Sequence, residues 1–332
     1  VGSNDAQVHR LELDAEQSRV SMSGAVQNFS RPDVDLTVDG ALQLQPLAAL
    51  AEVKDVSGSA QLRAHLQGPI TRLRADATIS GQDLIYQQLP PARLEARTAY
   101  DGAAQQVSIG ALAVDAPWTR LTAHGEVSLD ADGHSSLNAT VSQLNAGTVA
   151  AALAPAATVA TLVDASLSAQ WPGTNVRLAT GQLTAQLTPD RTTTPRAVPV
   201  GGSLRIDAND QIVTARIQRL GSSGVVAQGV VTLAEREMLG GQLTMRSNDL
   251  PAVVRTAERM MGKRTGTLLP TPIAGEVEAV ASIAGSIHEP YVSTRVNAPA
   301  LQVGTVPDIR IGLAAAYAGN TITVSGLDAN WA

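Results

Sequence analysis

Cysteine is absent from this chain of 332 residues, and aromatic residues make up only 2% of it. The lack of cysteine excludes structural disulfides, thiolate catalysis and zinc sites built from cysteine, and it is compatible with an oxidising envelope compartment. The lack of aromatics argues against a domain packed around large rings. The apolar residues are instead mostly Ala, Val, Leu and Ile.

Basic charge and long apolar runs are also scarce. The net charge is −6, so the chain lacks the basic footprint expected of a protein that binds nucleic acid. No run of residues approaches the roughly 18 apolar positions of a membrane-spanning helix. Because no leader pattern follows Val1, we expect an internal segment of a longer protein, with any signal or membrane anchor outside it.

What the sequence does contain is apolar material and alternation. Hydrophobic residues reach 44% and charged residues only 16%, which excludes disorder for most of the chain. Apolar and polar residues alternate along Ser59–Leu66, as in a strand with one buried and one solvent-exposed face. Turn signals such as Asp39-Gly40, Asp101-Gly102 and Gly319-Asn320 separate such segments, and short turns of this kind predict antiparallel meanders.

Three short segments break the alternation and predict helices. The strongest runs from Leu250 to Met261, with Asp249 as its N-cap and Val253, Ala257 and Met261 among the apolar residues at helical spacing. A second covers Ala146–Leu153 after Asn145, and a third covers Pro46 to about Val53.

The helices recur about every 100 residues, and the strands and Gly/Pro turns around them recur with the same period. We therefore expect one continuous repeat array over residues 1–332. Its approximate units are 1–44 (partial), 45–143, 144–248 and 249–332 (partial).

No catalytic pattern is present. The five histidines are far apart and lack the spacing of a zinc site, and nucleophile elbows and phosphate-binding loops are missing. We expect no enzymatic activity, no metal and no cofactor. An enzyme on a β-scaffold stays an alternative that would need a cleft uniting His124 or His134 with acidic partners.

A meander with one apolar face must cover that face. It can pack against a second sheet, giving a structural or adhesive rod of tandem β-sandwiches. It can coil into a solenoid, although the period is longer than that of tight coils. It can also curve into a trough whose lining is covered by ligand, and the same residues could alternatively fill a closed core.

Two segments, Val56–Pro69 and Ile273–Pro290, together with the short helices before them, resemble the TamB/AsmA-like family of Gram-negative envelopes. The resemblance runs along essentially the whole chain. It rests on the recurring order of strands, turns and short helices more than on identical residues. It implies an elongated, twisted antiparallel sheet folded into a U-shaped hydrophobic groove, an all-β fold with short helical inserts.

The resemblance also implies a function. Members of the family span the periplasm from an inner-membrane anchor, are associated with phospholipid transport to the outer membrane and, for TamB, with assembly of outer-membrane proteins beside the barrel protein TamA. We accordingly expect phospholipid acyl chains as ligands, a TamA-like barrel as a partner and no nucleic acid.

The groove lining predicted from alternation consists of small and branched aliphatic side chains, along which an acyl chain could slide. The candidates are Ala60, Leu62, Ala64, Leu66, Leu183, Leu187, Leu204, Ile206, Val277, Ala279, Ile309 and Ile311.

Overall fold

A computed structural model describes residues 5–15, 17–50, 55–153, 159–190, 197–209, 211–261, 263–264, 266–269 and 271–331. These residues divide into two units, which are described separately. Unit 1 comprises Val1–Leu144 and Ser166–Ala179, and unit 2 comprises Asn145–Ala165 and Thr180–Ala332.

Unit 1 is built almost entirely of strands that follow one another in the chain, with one short helix. Its elements are β1 (Ala6–Ala15), β2 (Ser18–Gln27), β3 (Asp33–Gln43), α1 (Leu44–Leu50), β4 (Val56–Pro69), β5 (Arg74–Tyr86), β6 (Ala92–Asp101), β7 (Gln106–Ala116), β8 (Thr119–Ser128) and β9 (His134–Asn145). The next strand, β10 (Val159–Pro172), contributes its second half to unit 1 and its first half to unit 2.

Unit 2 repeats this design with two helices. Its further elements are α2 (Ala146–Leu153), β11 (Thr180–Pro189), β12 (Val198–Pro199), β13 (Gly201–Asn209), β14 (Ile212–Ser222), β15 (Val225–Ala234), β16 (Met238–Ser247), α3 (Leu250–Met260), β17 (Ile273–Gly285), β18 (Pro290–Val303), β19 (Val306–Ala318) and β20 (Thr321–Asn330).

The all-β class predicted from alternation is confirmed, and the sheet is open. Successive strands pair antiparallel from β1 to β9 and again from β13 to β20. The two-residue β12 is different, since it pairs parallel with β10 and leaves β11 to pair with β13. Apart from β12, six strands lie between α1 and α2 and six between α2 and α3. The proposed repeat boundaries remain a prediction.

Side-chain caps start two of the helices where the sequence predicts them. Asn145 Oδ1 accepts the Thr148 backbone N–H at 2.9 Å before α2, and Asp249 Oδ1 accepts that of Ala252 at 3.0 Å before α3. These bonds satisfy amide groups that the first helical turn leaves unpaired. The third helix, at Leu44–Leu50, begins two residues earlier than predicted, and residues 51–53 of that prediction fall outside the described residues.

One turn prediction is wrong. Asp39-Gly40 lies within β3, because Asp39 pairs across the ladder with Arg63 and Gly40 with Leu62. A Cβ on Gly40 would lie 3.5 Å from the Leu62 Cβ and 3.7 Å from a Val20 methyl group. The glycine therefore leaves space between large apolar neighbours instead of reversing the chain.

Candidate functional site

A continuous apolar face covers one side of unit 1. In β4 the predicted lining residues Ala60, Leu62, Ala64 and Leu66 lie opposite Leu42, Gly40, Val38 and Leu36 of β3. On their other side they face Gly81, Ile79, Ala77 and Ala75 of β5. Residues that lie directly opposite in a ladder share a face of the sheet, so the alternation of one strand extends into its neighbours.

The same rows continue toward β9. Ile79 faces Ala96 of β6, Ala96 faces Leu112 of β7, and Leu112 faces Ala123 of β8. The row continues into β9, where Ala139 faces Ala123. The apolar face of unit 1 therefore extends across several strands beyond the four residues predicted from β4.

Unit 2 forms its own apolar face. Leu183 of β11 lies opposite Ile206 of β13, and Ala185 lies opposite Leu204. Leu187 follows two residues after Ala185, on the same side of β11. Ala279 of β17 faces Val296 of β18, and Ile309 and Ile311 of β19 face the same strand at Leu301 and Ala298.

A row of paired residues joins these two ends of unit 2. It passes in order through Ile206, Ala215, Val231, Gly241, Ile283, Val292 and Tyr317. Val277 of β17 lies opposite a polar residue, Ser247 of β16. The predicted lining residues of unit 2 therefore share one face, with Val277 at its polar margin.

This face is accessible from outside the protein. Among the predicted lining residues only Ala60 is buried, and all the others are half-buried. On β20 the exposed fraction reaches 72% for Ile322 and 71% for Leu327.

Few apolar side chains are buried anywhere in the described residues. Those that are comprise Val34, Leu301 and the seven alanines 60, 96, 123, 160, 185, 281 and 298. A closed protein core consists mainly of fully buried Leu, Ile, Val and Phe at high packing density. Neither unit therefore has a filled core behind its apolar face.

The exposed surface leads to the same conclusion. The chain exposes 20936 Å², whereas two separate compact proteins of half this mass would together expose about 15,500 Å². An open sheet exposes more area than packed layers of the same mass, in keeping with this larger value.

The opposite face is polar, and several of its ionisable side chains lie close to a partner. In unit 1 Arg63 Nε lies 3.1 Å from Asp39 Oδ1, and His65 Nε2 lies 2.8 Å from Asp35 Oδ1. In unit 2 Arg246 Nη2 lies 2.9 Å from Glu278 Oε1. Exposed pairs of this kind add little to stability, but they keep this side of the sheet hydrated.

A hollow of about 400 Å³ lies on the polar face of unit 1. Arg19 and Arg63 border it, and both are engaged, since Arg19 Nε donates to Asp14 Oδ1 at 2.8 Å and Arg63 pairs with Asp39. The hydrogen bond from Arg19 to Asp14, together with the charges of Asp14 and Glu12, raises the pKa of Arg19 above its ordinary value. The hollow thus offers no uncompensated charge to a ligand.

The two histidines that the enzyme alternative requires, His124 and His134, lie at the surface of unit 1. Both are exposed, and His124 lies opposite Asn138 in the ladder. Within the described ranges, no three His, Cys, Asp or Glu residues are arranged to hold a metal ion.

Alternation alone misses part of the face because bulges interrupt it. In β14 the pairing register shifts between Ile217 and Leu220, and in β7 between Ile109 and Leu112. Each bulge inserts a residue and returns the next apolar side chain to the same face. Strict period two therefore fails at Leu220 and Leu112. Gly110 is a local sequence signal for the second bulge, whereas the first bulge, at Gln218-Arg219, contains no glycine.

Comparison with known proteins gives no further assignment. No family model, no curated protein and no solved structure matches the chain. In the part of the chain that the structure describes, no helix combines the length and apolarity needed to cross a membrane.

Proposed function

We propose that the chain holds phospholipid acyl chains on the apolar faces of its two units, as a segment of a lipid-transfer protein of the bacterial envelope. One observation carries the proposal: a wide aliphatic face that stays half-buried instead of forming a filled core. Each methylene removed from water there contributes about 0.8 kcal/mol. Binding by such a face requires no covalent chemistry.

The lining favours mobile chains over a rigid ligand. It consists of alanine, glycine and branched aliphatic side chains with few polar atoms, so it has little means of fixing one orientation. The alternative, a rod of β-sandwiches without lipid, would need a filled core in each unit, and the burial pattern does not support it.

The cellular setting in this proposal rests on the resemblance to TamB/AsmA-like proteins. It places the chain in the periplasm between inner and outer membrane, anchored by a segment outside this sequence. A role in outer-membrane protein assembly, through a TamA-like barrel, belongs to the same proposal.

Extraction of the purified chain tests the proposal directly. The protein is expressed in a Gram-negative periplasm, washed free of membranes, and extracted for quantification of phospholipid by mass spectrometry. We expect phospholipid to co-purify, and Ile206→Asp to reduce its amount several-fold. Gln186→Asp is the matched control, since Gln186 is exposed on the adjacent strand and faces Ser203 on the polar side.

Two results would count against the proposal. One is a wild-type protein that contains no phospholipid and cannot be loaded from vesicles. The other is equal lipid content in the two variants, which would place any bound lipid elsewhere.

A further inference from the structure

Basic charge is concentrated around α3. Residues 250–272 contain four basic residues (Arg255, Arg259, Lys263 and Arg264) and one acidic residue, Glu258, giving a formal charge of +3 in a chain of net charge −6. The rest of the chain therefore carries −9. A basic segment in an acidic protein is attracted to anionic surfaces and orients the protein toward them.

The single acidic residue of this segment is withdrawn from the surface. Glu258 is 1% exposed. Its Oε1 accepts the Leu268 backbone N–H at 2.9 Å, and its Oε2 accepts that of Gly266 at 3.0 Å. The Leu268 N–H is the main cause of a lowered Glu258 pKa, and the charge of Lys263 contributes less. Glu258 is thus a positioning residue that fixes the chain after α3.

The basic side chains remain available to a partner. Arg255, Lys263 and Arg264 are exposed. None of them forms an ion pair with another described residue.

Two large apolar side chains accompany them. Met261, directly after α3, is 61% exposed, and Leu269 is 43% exposed. Exposed apolar residues interspersed with Lys and Arg are typical of segments that lie in the interface of an anionic bilayer. Membrane binding by such segments combines the burial of apolar side chains with electrostatic attraction to anionic lipids.

We propose that Arg255, Lys263 and Arg264, with Met261 and Leu269, form a docking surface for an anionic phospholipid bilayer. The basic groups contact headgroup phosphates, and the two apolar side chains enter the boundary between headgroups and acyl chains. Loading of the apolar faces does not depend on this surface, so the inference stands independently of the lipid-transfer proposal.

Flotation with vesicles tests the surface. The whole chain is mixed with vesicles of phosphatidylcholine alone, or with 30 mol% phosphatidylglycerol, at low and at high salt. We expect binding to the anionic vesicles alone, weakening steeply as salt screens the charges. A basic residue near an anionic surface strengthens binding about fivefold, so the variant R255Q/K263Q/R264Q is expected to bind about 100-fold more weakly.

The chain offers a matched control for this variant. Arg31, Arg72 and Arg177 are exposed and, like the first set, pair with no described acidic residue. The variant R31Q/R72Q/R177Q removes the same charge from unit 1 and is expected to retain binding within about threefold.

The outcomes separate the alternatives. Equal losses in the two variants would show general electrostatic attraction and overturn the proposal, as would wild-type binding that ignores phosphatidylglycerol. If the wild-type protein binds no vesicles and R255Q/K263Q/R264Q has a lowered melting temperature, the basic residues only stabilise the C-terminus of α3. The phospholipid that co-purifies with each variant, measured before vesicles are added, is expected to stay unchanged, so failure of the docking surface is distinguishable from failure of the lipid-transfer proposal.

Discussion

Replacing Leu62 by arginine tests the accessibility of the apolar face most directly. Leu62 lies in the middle of β4, between Gly40 and Ile79 on the same face, and it is half-buried. The matched control is Gln61→Arg, one residue earlier, where the side chain is exposed on the polar face.

The expected cost to folding is small. Burying a leucine completely contributes about 1.5–3 kcal/mol, so loss of a half-buried one costs about 1–2 kcal/mol. The arginine stem can lie along the apolar surface while its guanidinium reaches water. In a filled core, truncation of leucine to alanine alone costs about 2–5 kcal/mol, and an unpaired buried charge costs more.

The expected cost to lipid binding is larger than the cost to folding. If about three methylenes lose their contact, binding weakens by about 2.4 kcal/mol, which is about 60-fold. Titration of the delipidated protein with a fluorescent phospholipid measures this loss, and denaturant unfolding at constant slope measures stability.

Two results would refute the reasoning. A stability loss above about 4 kcal/mol, or no folded protein, would show that Leu62 lies in a closed core. Equal lipid affinity in Leu62→Arg and Gln61→Arg would show that this face does not bind acyl chains.

Three further predictions concern the framework of the two units. Gly202→Ala is expected to lower stability by at least about 1–3 kcal/mol in thermal unfolding, because Gly202 has a φ of 139° and a Cβ there would collide with the Arg219 carbonyl. Asp249→Ala removes the cap of α3 and is expected to cost about 1 kcal/mol; an unchanged unfolding midpoint would argue against that cap. Because backbone N–H groups hold the Glu258 pKa below its usual value, its stabilisation is present at neutral pH and is lost as the pH falls through that lowered pKa. Amide exchange at Gly266 and Leu268 is then expected to accelerate relative to intrinsic rates, and Glu258→Gln to show the same acceleration at neutral pH.

Local patterns succeed where one strand or one helix turn decides the outcome. The alternation at Leu62 and Ile206 identifies the apolar side of each strand, since successive side chains point to opposite faces. The caps at Asn145 and Asp249 are equally local, because each bonds a backbone group only three residues away.

Local patterns fail where a distant neighbour decides. Helical spacing predicts Met261 on the packed side of α3, but Met261 is exposed and Glu258 is buried. Glu258 is buried because its carboxylate satisfies the Gly266 and Leu268 amides, which lie beyond the helix. Asp39-Gly40 fails as a turn for a similar reason, since its partners on β4 are more than 20 residues away.

The sequence by itself determined the all-β class, the strand faces and the starts of α2 and α3, because each depends on the side-chain period or on a bond within one turn. Only the tertiary structure decided that the apolar rows remain aligned through the bulges at Ile217 and Ile109. It also decided that the face they form stays accessible in each unit. Whether an apolar face is open or closed depends on what packs against it, and alternation within a single strand carries no information about that partner.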